Sequence, residues 1–270
     1  MRILGISGLA NSEPYKRSQY PNLDSSQHRI RQALDSAAAL VCDGVIVAAA
    51  AEEGFTGEKQ TGSFPVRAIN YCLAEQGIGM DQIDALVHGF DYAPYEKVWR
   101  MDATSAEMYD SVFSRTALLR AVERHFPRFP ELRVHHVGHH LAHAASAYLT
   151  SGWGECLTVV VDGMGEVHAA TVYHAKDKQL RKLHEISALH SIGILYSLIT
   201  LHLGFDFNGD EYKIMGLAPY GDPGRYREFF KQIAEFRANG SICIPALSLN
   251  RTREERDNYT ATRRFLEEQL

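Results

Sequence analysis

Short apolar runs along the chain predict the strands of a sheet. Met1–Ser7 is one such run, and Ala37–Val41 and Val45–Ala49 lie on either side of the dipeptide Asp43-Gly44. Because Asp-Gly suits a tight two-residue turn, the second and third runs predict an antiparallel hairpin. The chain therefore opens with three strands, of which the last two are neighbours.

Apolar residues spaced three or four positions apart predict helices between further strands. In the first half, the predicted helices are 64–76, 105–126 and 138–149, and the predicted strands are 85–90 and 133–137. Gly77 ends the first of these helices and Pro127 the second. The segment Leu9–Leu34 is polar at first and helical from Ser25, and it is long enough to be an insertion or a lid.

The second half repeats this order of elements. The β-branched run Leu157–Val161 predicts a buried strand that ends at Asp162. Strands at 168–174 and 183–189 and helices at 192–203 and 222–238 follow it. Alternation of strands and helices predicts an α/β layered fold. Because both halves show the pattern, we expect two related lobes facing a cleft, 1–153 and 154–270.

Composition and charge narrow the class of protein. The 270 residues are 45% hydrophobic, enough for a large core, and no apolar stretch is long enough to span a bilayer. We expect a cytoplasmic protein without a signal peptide, with no membrane partner. The formal charge is −5 and there is no basic patch, so nucleic acid is not an expected partner. The scattered cysteines predict free thiols.

Two histidines at helical spacing are the strongest candidate for a functional site. His139 and His143 are four residues apart, so on a helix their imidazoles share one face and can bind a single metal ion. His140 points elsewhere. Asp162, at the end of a strand, would complete a histidine-histidine-carboxylate set of the kind that binds iron(II). The alternative is that these histidines only cap or pack. His140 occupies the place of the glutamate that is a zinc peptidase's general base, which disfavours that class.

Two glycine-containing segments are candidates for phosphate binding. Asp162-Gly163-Met164-Gly165 follows a strand, where backbone amides can approach a phosphate, although such a segment is also typical of an ordinary hairpin turn. The segment 209–221 places Glu211 and Lys213 beside glycines in a predicted loop suited to ribose hydroxyls and phosphate. A solvated loop is the alternative. Outside these segments, we expect solvated helix faces at 251–256 and 263–264, and packing or surface roles for His135, His136, His184 and His190.

Together these motifs resemble the O-carbamoyltransferase family that includes nodulation-factor and antibiotic-tailoring enzymes. The resemblance covers nearly the whole chain and matches the amino-terminal part of that family. The most specific stretch is Glu-Tyr-Lys-Ile-Met-Gly-Leu-Ala-Pro-Tyr-Gly within 209–221. The other stretches that carry it are 1–5, 35–41, 65–84, 139–148, 160–166 and 191–196.

The resemblance implies a fold of the actin, sugar-kinase and Hsp70 type, similar to the universal tRNA threonylcarbamoyl-transferring enzyme. It implies that carbamoyl phosphate and ATP yield carbamoyl adenylate, whose carbamoyl group passes to a hydroxyl of a small-molecule or glycoside acceptor. A divalent metal on His139, His143 and Asp162 would bind the adenylate phosphate, with iron first and zinc or manganese as alternatives. The implied catalytic residues are His139 and Lys213. The implied nucleotide-binding residues are Asp35, Gly163, Gly165, Glu211, Lys213 and Gly216.

The chain departs from the family pattern in two ways. Leu34 precedes Asp35 where the family has a histidine. Family members are also roughly twice as long, so we expect an incomplete second lobe and a YrdC-like domain or chain as partner. Two alternatives remain open: a non-catalytic or regulatory piece that binds metal or nucleotide and needs a partner chain, and a metal-dependent hydrolase.

Overall fold

The computed structural model describes residues 1–32 and 35–270, so Leu34 lies outside the described residues. None of the described helices is long and apolar enough to cross a membrane. The strands are β1 Arg2–Ser7, β2 Ala37–Cys42, β3 Val45–Ala51, β4 Ala85–His88, β5 Val134–His136, β6 Glu155–Gly165, β7 His168–Lys176, β8 Gln179–Ser187, β9 Glu235–Phe236 and β10 Ile242–Cys243. The α-helices are α1 Ser12–Gln19, α2 Ser25–His28, α3 Glu53–Thr56, α4 Val66–Glu75, α5 Glu96–Trp99, α6 Ala103–Met108, α7 Arg115–His125, α8 His139–Ser151, α9 Ile192–His202, α10 Glu211–Leu217, α11 Arg227–Ile233, α12 Arg253–Asn258 and α13 Thr260–Gln269.

The chain forms two compact units. Unit 1 comprises 1–22 and 31–142, and unit 2 comprises 23–30 and 143–270. The division falls inside α8, so the first turn of this helix is assigned to unit 1 and the remainder to unit 2. The boundary predicted between residues 153 and 154 remains a prediction.

Unit 1 is built on a five-stranded sheet in the order β3-β2-β1-β4-β5. β1 pairs antiparallel with β2, and β2 with β3, whereas β4 lies parallel to β1 and β5 parallel to β4. The predicted hairpin is confirmed, with Asp43 and Gly44 both at positive φ in its turn. Parallel strands need helical crossovers, which confirms the α/β prediction for this unit.

The core of unit 1 lies between its sheet and helix α4. Leu4 and Leu40 from the sheet and Ile69 from the helix are fully buried together. The predicted helix at 64–76 is confirmed as α4, and Gly77 follows it at φ +61°. At the opposite end, the buried Glu52 carboxylate accepts hydrogen bonds from first-turn amides of this helix.

The predicted single helix over 105–126 is wrong. The chain forms α6, then a π-helical turn over Tyr109–Phe113, and then α7. Ser114 separates them in extended conformation, and its hydroxyl accepts a hydrogen bond from the amide of Ala117, as in an N-cap. A capping serine inside the apolar pattern therefore starts a new helix.

The larger sheet of unit 2 has three antiparallel strands in the order β6-β7-β8, and β9 and β10 form a separate antiparallel pair. The prediction that the first strand is buried and ends at Asp162 is wrong, because β6 continues to Gly165 after a shift in register. Only one of its faces is buried: Val160 packs with Ala144 of α8 and Tyr173 of β7. β8 begins at Gln179, four residues before the predicted start at residue 183, after a turn in which Asp177 and Lys178 have positive φ.

The core of unit 2 lies around helix α9, which matches the predicted helix at 192–203. Leu198 of α9 and Leu266 of α13 are fully buried within it. The predicted helix at 222–238 is shorter, because α11 ends at Ile233 and the chain turns into β9. The loop predicted at 209–221 is largely helix α10, a result favoured by its glutamate, lysine, methionine and leucine residues.

Candidate metal centre

Helix α8 places two of the three predicted metal ligands on one face. His139 is its first residue and His143 lies one turn later. The imidazole of His143 is exposed, that of His139 is half-buried, and the intervening His140 is buried. His140 is not part of the ligand group, as the helical spacing predicts.

Strand β6 places the third predicted ligand. Asp162 is half-buried, close to the point where the register between β6 and β7 shifts. The segment after it is held at the start of helix α9, because the hydroxyl of the N-cap residue Ser191 donates a hydrogen bond of 2.7 Å to the Gly163 carbonyl oxygen. The N–H of Gly163 donates to Oδ1 of Asp162.

His139, His143 and Asp162 come together. Each offers one ligand atom, and these three atoms lie within 4.8 Å of one another. Two imidazole nitrogens and a carboxylate oxygen are donors suited to iron(II), zinc or manganese. The residues present therefore fit a divalent metal ion.

The imidazole of His139 has a defined hydrogen bond on the side of Nδ1. This nitrogen lies 3.2 Å from the carbonyl oxygen of Gly89. Because a carbonyl oxygen can only accept, Nδ1 carries the proton in this contact, and the lone pair for a metal is on Nε2. Phe90 covers one face of the same ring, with the two rings 4.1 Å apart and nearly parallel.

Two further histidines of unit 1 surround the carbonyl oxygen of Phe90. Nδ1 of His136 donates to this oxygen at 2.9 Å, and Nδ1 of His88 lies 3.3 Å from it. Nε2 of His88 donates to the carbonyl oxygen of Gly8 at 2.9 Å. Burial lowers the pKa of His88 to about 4, so its ring is neutral at pH 7.

The predicted packing or surface role of His136 does not include this hydrogen bond, and the sequence predicts no role for Phe90 or His88. His190 also has a partner, because its Nδ1 accepts the amide of Ile244. The sequence offers one signal for this group. His88 and Phe90 lie at the end of one predicted strand, and His136 lies at the end of another. The ends of neighbouring parallel strands bring such side chains together.

Of the predicted nucleotide-binding residues, Lys213 and Glu211 have local partners in unit 2. The ammonium of Lys213 forms an ion pair of 2.7 Å with Asp210, which raises its pKa. The carboxylate of Glu211 accepts hydrogen bonds from Ser197 of α9 and from the amide of Asn208. Gly216 lies within α10 with open space where a side chain would begin. Their role in nucleotide binding stays a prediction.

The remaining predicted residues lie at strand ends and turns. Asp35 has φ +64°, and its carbonyl oxygen accepts a hydrogen bond from Ser7 at the end of β1. Gly163 and Gly165 belong to β6, and Glu166 at φ +50° begins the turn into β7. The segment Asp162–Gly165 is therefore the end of a strand, and the turn of the hairpin follows it. Open space beside Gly163 leaves room for a ligand at its backbone.

Known proteins match this chain along most of its length. The family model described as carbamoyltransferase N-terminus matches residues 30–262. An uncharacterized protein of Synechocystis sp., sll1178, is 37% identical over an alignment of 226 residues, which covers 77% of this chain and 36% of that protein. The nodulation protein NolNO of Sinorhizobium fredii is 33% identical over an alignment of 249 residues, which covers 90% of this chain and 35% of that protein.

Among solved structures, YeaZ from Pseudomonas aeruginosa is 12% identical, with a TM-score of 0.35 over 69% of this chain and 68% of that one. The chain spans about a third of the length of the curated relatives. The match to the family model extends over most of the chain and includes His139, His143 and Asp162. This chain belongs to the family of carbamoyltransferase amino-terminal domains.

Proposed function

We propose that this chain supplies the metal-binding part of an O-carbamoyltransferase. The reaction moves a carbamoyl group from carbamoyl adenylate, made from carbamoyl phosphate and ATP, to a hydroxyl of a small-molecule or glycoside acceptor. The observation that carries the proposal is the group formed by His139, His143 and Asp162 in a chain of the carbamoyltransferase family. No nucleic acid and no membrane take part.

The proposed role of the three ligands follows from their donor atoms. His139, through Nε2, His143 and Asp162 would hold a divalent ion, with iron first by family resemblance and zinc or manganese as alternatives. When bound, the ion would offset the negative charge of the adenylate phosphate. Gly163, next to Asp162, has no Cβ to obstruct a phosphate, and the space beside it is open.

The proposed nucleotide contacts lie on helix α10 and at strand ends. Lys213 would exchange its partner Asp210 for a phosphate, at a small cost because partly exposed ion pairs contribute at most about 1 kcal/mol. Glu211 already accepts two hydrogen bonds through Oε1, so its Oε2 is the atom proposed for a ribose hydroxyl. Asp35, Gly165 and Gly216 complete the proposed set.

A partner is part of the proposal. The curated relatives are nearly three times as long as the stretch that this chain matches, so we propose that a YrdC-like domain or chain forms the adenylate. The acceptor would then bind beside the metal site. Adding the YrdC-like domain as a separate protein tests whether it is needed for the reaction.

Metal analysis tests the site itself. The full chain should bind about one iron, zinc or manganese ion, and His139→Ala and Asp162→Ala should each lose most of it. His135→Ala is the matched control, because His135 is exposed on β5 and is not in the ligand group. Unchanged metal content in both ligand variants would show that the proposed site is wrong.

Product analysis tests the reaction. The chain is incubated with carbamoyl phosphate, ATP and candidate hydroxyl acceptors, alone and with a separately expressed YrdC-like domain. A carbamate formed only with the added domain supports the proposal. No product in either case, despite bound metal, favours a non-catalytic or regulatory piece. Hydrolysis of simple esters or phosphates favours a metal-dependent hydrolase.

A further inference from the structure

We propose that Phe90 and His136 are positioning residues, which hold the imidazole of His139 in one orientation and one tautomer for metal binding. This inference rests on the proposed metal site. The two residues act through different contacts. Phe90 contacts the ring of His139 directly, and His136 acts through the backbone of Phe90.

The dipeptide Gly89-Phe90 contacts His139 twice. The carbonyl oxygen of Gly89 accepts the Nδ1 proton, and the ring of Phe90 stacks on the imidazole at 4.1 Å with an angle of 12° between the planes. The hydrogen bond fixes which edge of the imidazole faces the backbone, and the stack fixes the plane of the ring. Phe90 is itself only 4% exposed, so it has little freedom to follow a moving partner.

The dipeptide is in turn held by the strands on either side of it. The amide of Gly89 donates to the carbonyl oxygen of Ile6 in β1 at 3.0 Å. Nδ1 of His136, in β5, donates to the carbonyl oxygen of Phe90 at 2.9 Å. The sheet of unit 1 therefore determines where the ring of His139 can lie.

These contacts fix which nitrogen of His139 is available to a metal ion. With the proton kept on Nδ1, the lone pair of His139 is on Nε2 before any ion arrives. An unrestrained neutral imidazole would divide its population between two tautomers and several orientations, only one of which suits the ion. Loss of such an outer contact typically lowers metal affinity by about 10- to 100-fold.

Cobalt(II) titration of the full chain, followed by visible absorption, measures this effect. Phe90→Leu keeps an apolar side chain but removes the stack, so we expect an affinity about 10- to 100-fold lower. Phe90→Tyr restores the ring and should restore most of the affinity. Phe113→Leu is the matched control, because Phe113 belongs to the same apolar cluster but stacks on Tyr92 at 4.1 Å. It should bind cobalt as the wild type does.

The backbone contact has its own pair of variants. His136→Leu removes the donor to the carbonyl oxygen of Phe90 and should weaken cobalt binding. His136→Asn places an amide N–H near the position of Nδ1 and should restore much of the binding. A merely structural role would lower the stability of both variants without this difference in affinity.

Nitrogen-15 NMR of the metal-free protein gives a readout independent of the ion. The imidazole of His139 should show one tautomer with the proton on Nδ1 in the wild type, and a mixture in Phe90→Leu. The same single tautomer in both would overturn the inference, as would equal cobalt affinity. A wild type that binds no cobalt would contradict the proposed metal site instead, and the tautomers would still decide the role of Phe90.

Discussion

Gly193 of helix α9 lies directly against the backbone of Asp162. A Cβ added at Gly193 would come within 2.9 Å of the Asp162 carbonyl oxygen and of the Cα and N atoms of Gly163. Real Cβ atoms do not approach backbone so closely, so the helix and the strand can be this near only because residue 193 is glycine. The position of a proposed ligand thus depends on a residue that binds nothing.

Gly193→Ala should therefore destabilise the protein, although alanine is the better helix former. We expect the overlap to lower the free energy of unfolding by about 1–3 kcal/mol and to weaken cobalt(II) binding by displacing Asp162. Urea denaturation and cobalt titration measure the two effects. Gly154→Ala is the control, because a Cβ there meets open space. A Gly193→Ala protein as stable as this control would contradict the close contact.

Removal of the Glu52 side chain should weaken the start of helix α4. Its buried carboxylate accepts hydrogen bonds from the amides of Ala68 at 2.8 Å and Arg67 at 3.2 Å, and an amide left without a partner is costly. Glu52→Ala should lower the free energy of unfolding by about 1–3 kcal/mol, measured by urea denaturation. The exposed Glu58→Ala should change it by less than about 0.5 kcal/mol. Equal effects would argue against the cap.

The stability of the metal-free protein should fall in mild acid because of His88. Burial lowers the pKa of this residue from 6.5 to about 4, so the unfolded chain binds more protons between those two values. The stabilisation is complete above pH 6.5 and decreases as the pH falls, with a loss of about 3 kcal/mol by pH 4. Urea denaturation across this range measures the slope. His88→Gln should flatten it, whereas His135→Gln, at an exposed position, should leave it unchanged.

Asn250 should be among the most sensitive polar residues of unit 2. Its amide donates to the Leu247 carbonyl and to the Thr262 hydroxyl, and its oxygen accepts the amides of Ala261 and Thr262 at the start of α13. Asn250→Ala leaves several buried groups without partners and should cost about 2–4 kcal/mol in the free energy of unfolding. The comparison is Asn239→Ala in an exposed turn. Similar losses in both would mean that the buried network contributes little.

Much of the fold follows from local signals in the sequence. Asp43-Gly44 fixes one hairpin, and the spacing of His139 and His143 fixes their shared helix face. These predictions succeed because each depends on neighbouring residues alone. The α/β class is confirmed for the same reason, since alternating strand and helix patterns need little knowledge of distant contacts.

The predictions that failed have both local and long-range causes. The helix at 105–126 is interrupted where Ser114 caps a second helix, and 209–221 forms a helix whose Glu211 accepts a hydrogen bond from Ser197. The roles of Phe90 and His136 could not be predicted, because neither stacking on a histidine nor a hydrogen bond to a backbone carbonyl leaves a spacing pattern in the sequence. The grouping of the three proposed ligands could be predicted from the sequence, but the residues around them required the structure.

Strand β6 carries a further consequence for work with this protein in solution. It forms one edge of its sheet, and Leu157, Val159 and Val161 on its outer face are each at least 60% exposed. A strand edge beside apolar side chains is a template onto which another strand can add. Concentrated samples should therefore self-associate through β6, and Val159→Lys should keep them monomeric without altering the proposed metal ligands.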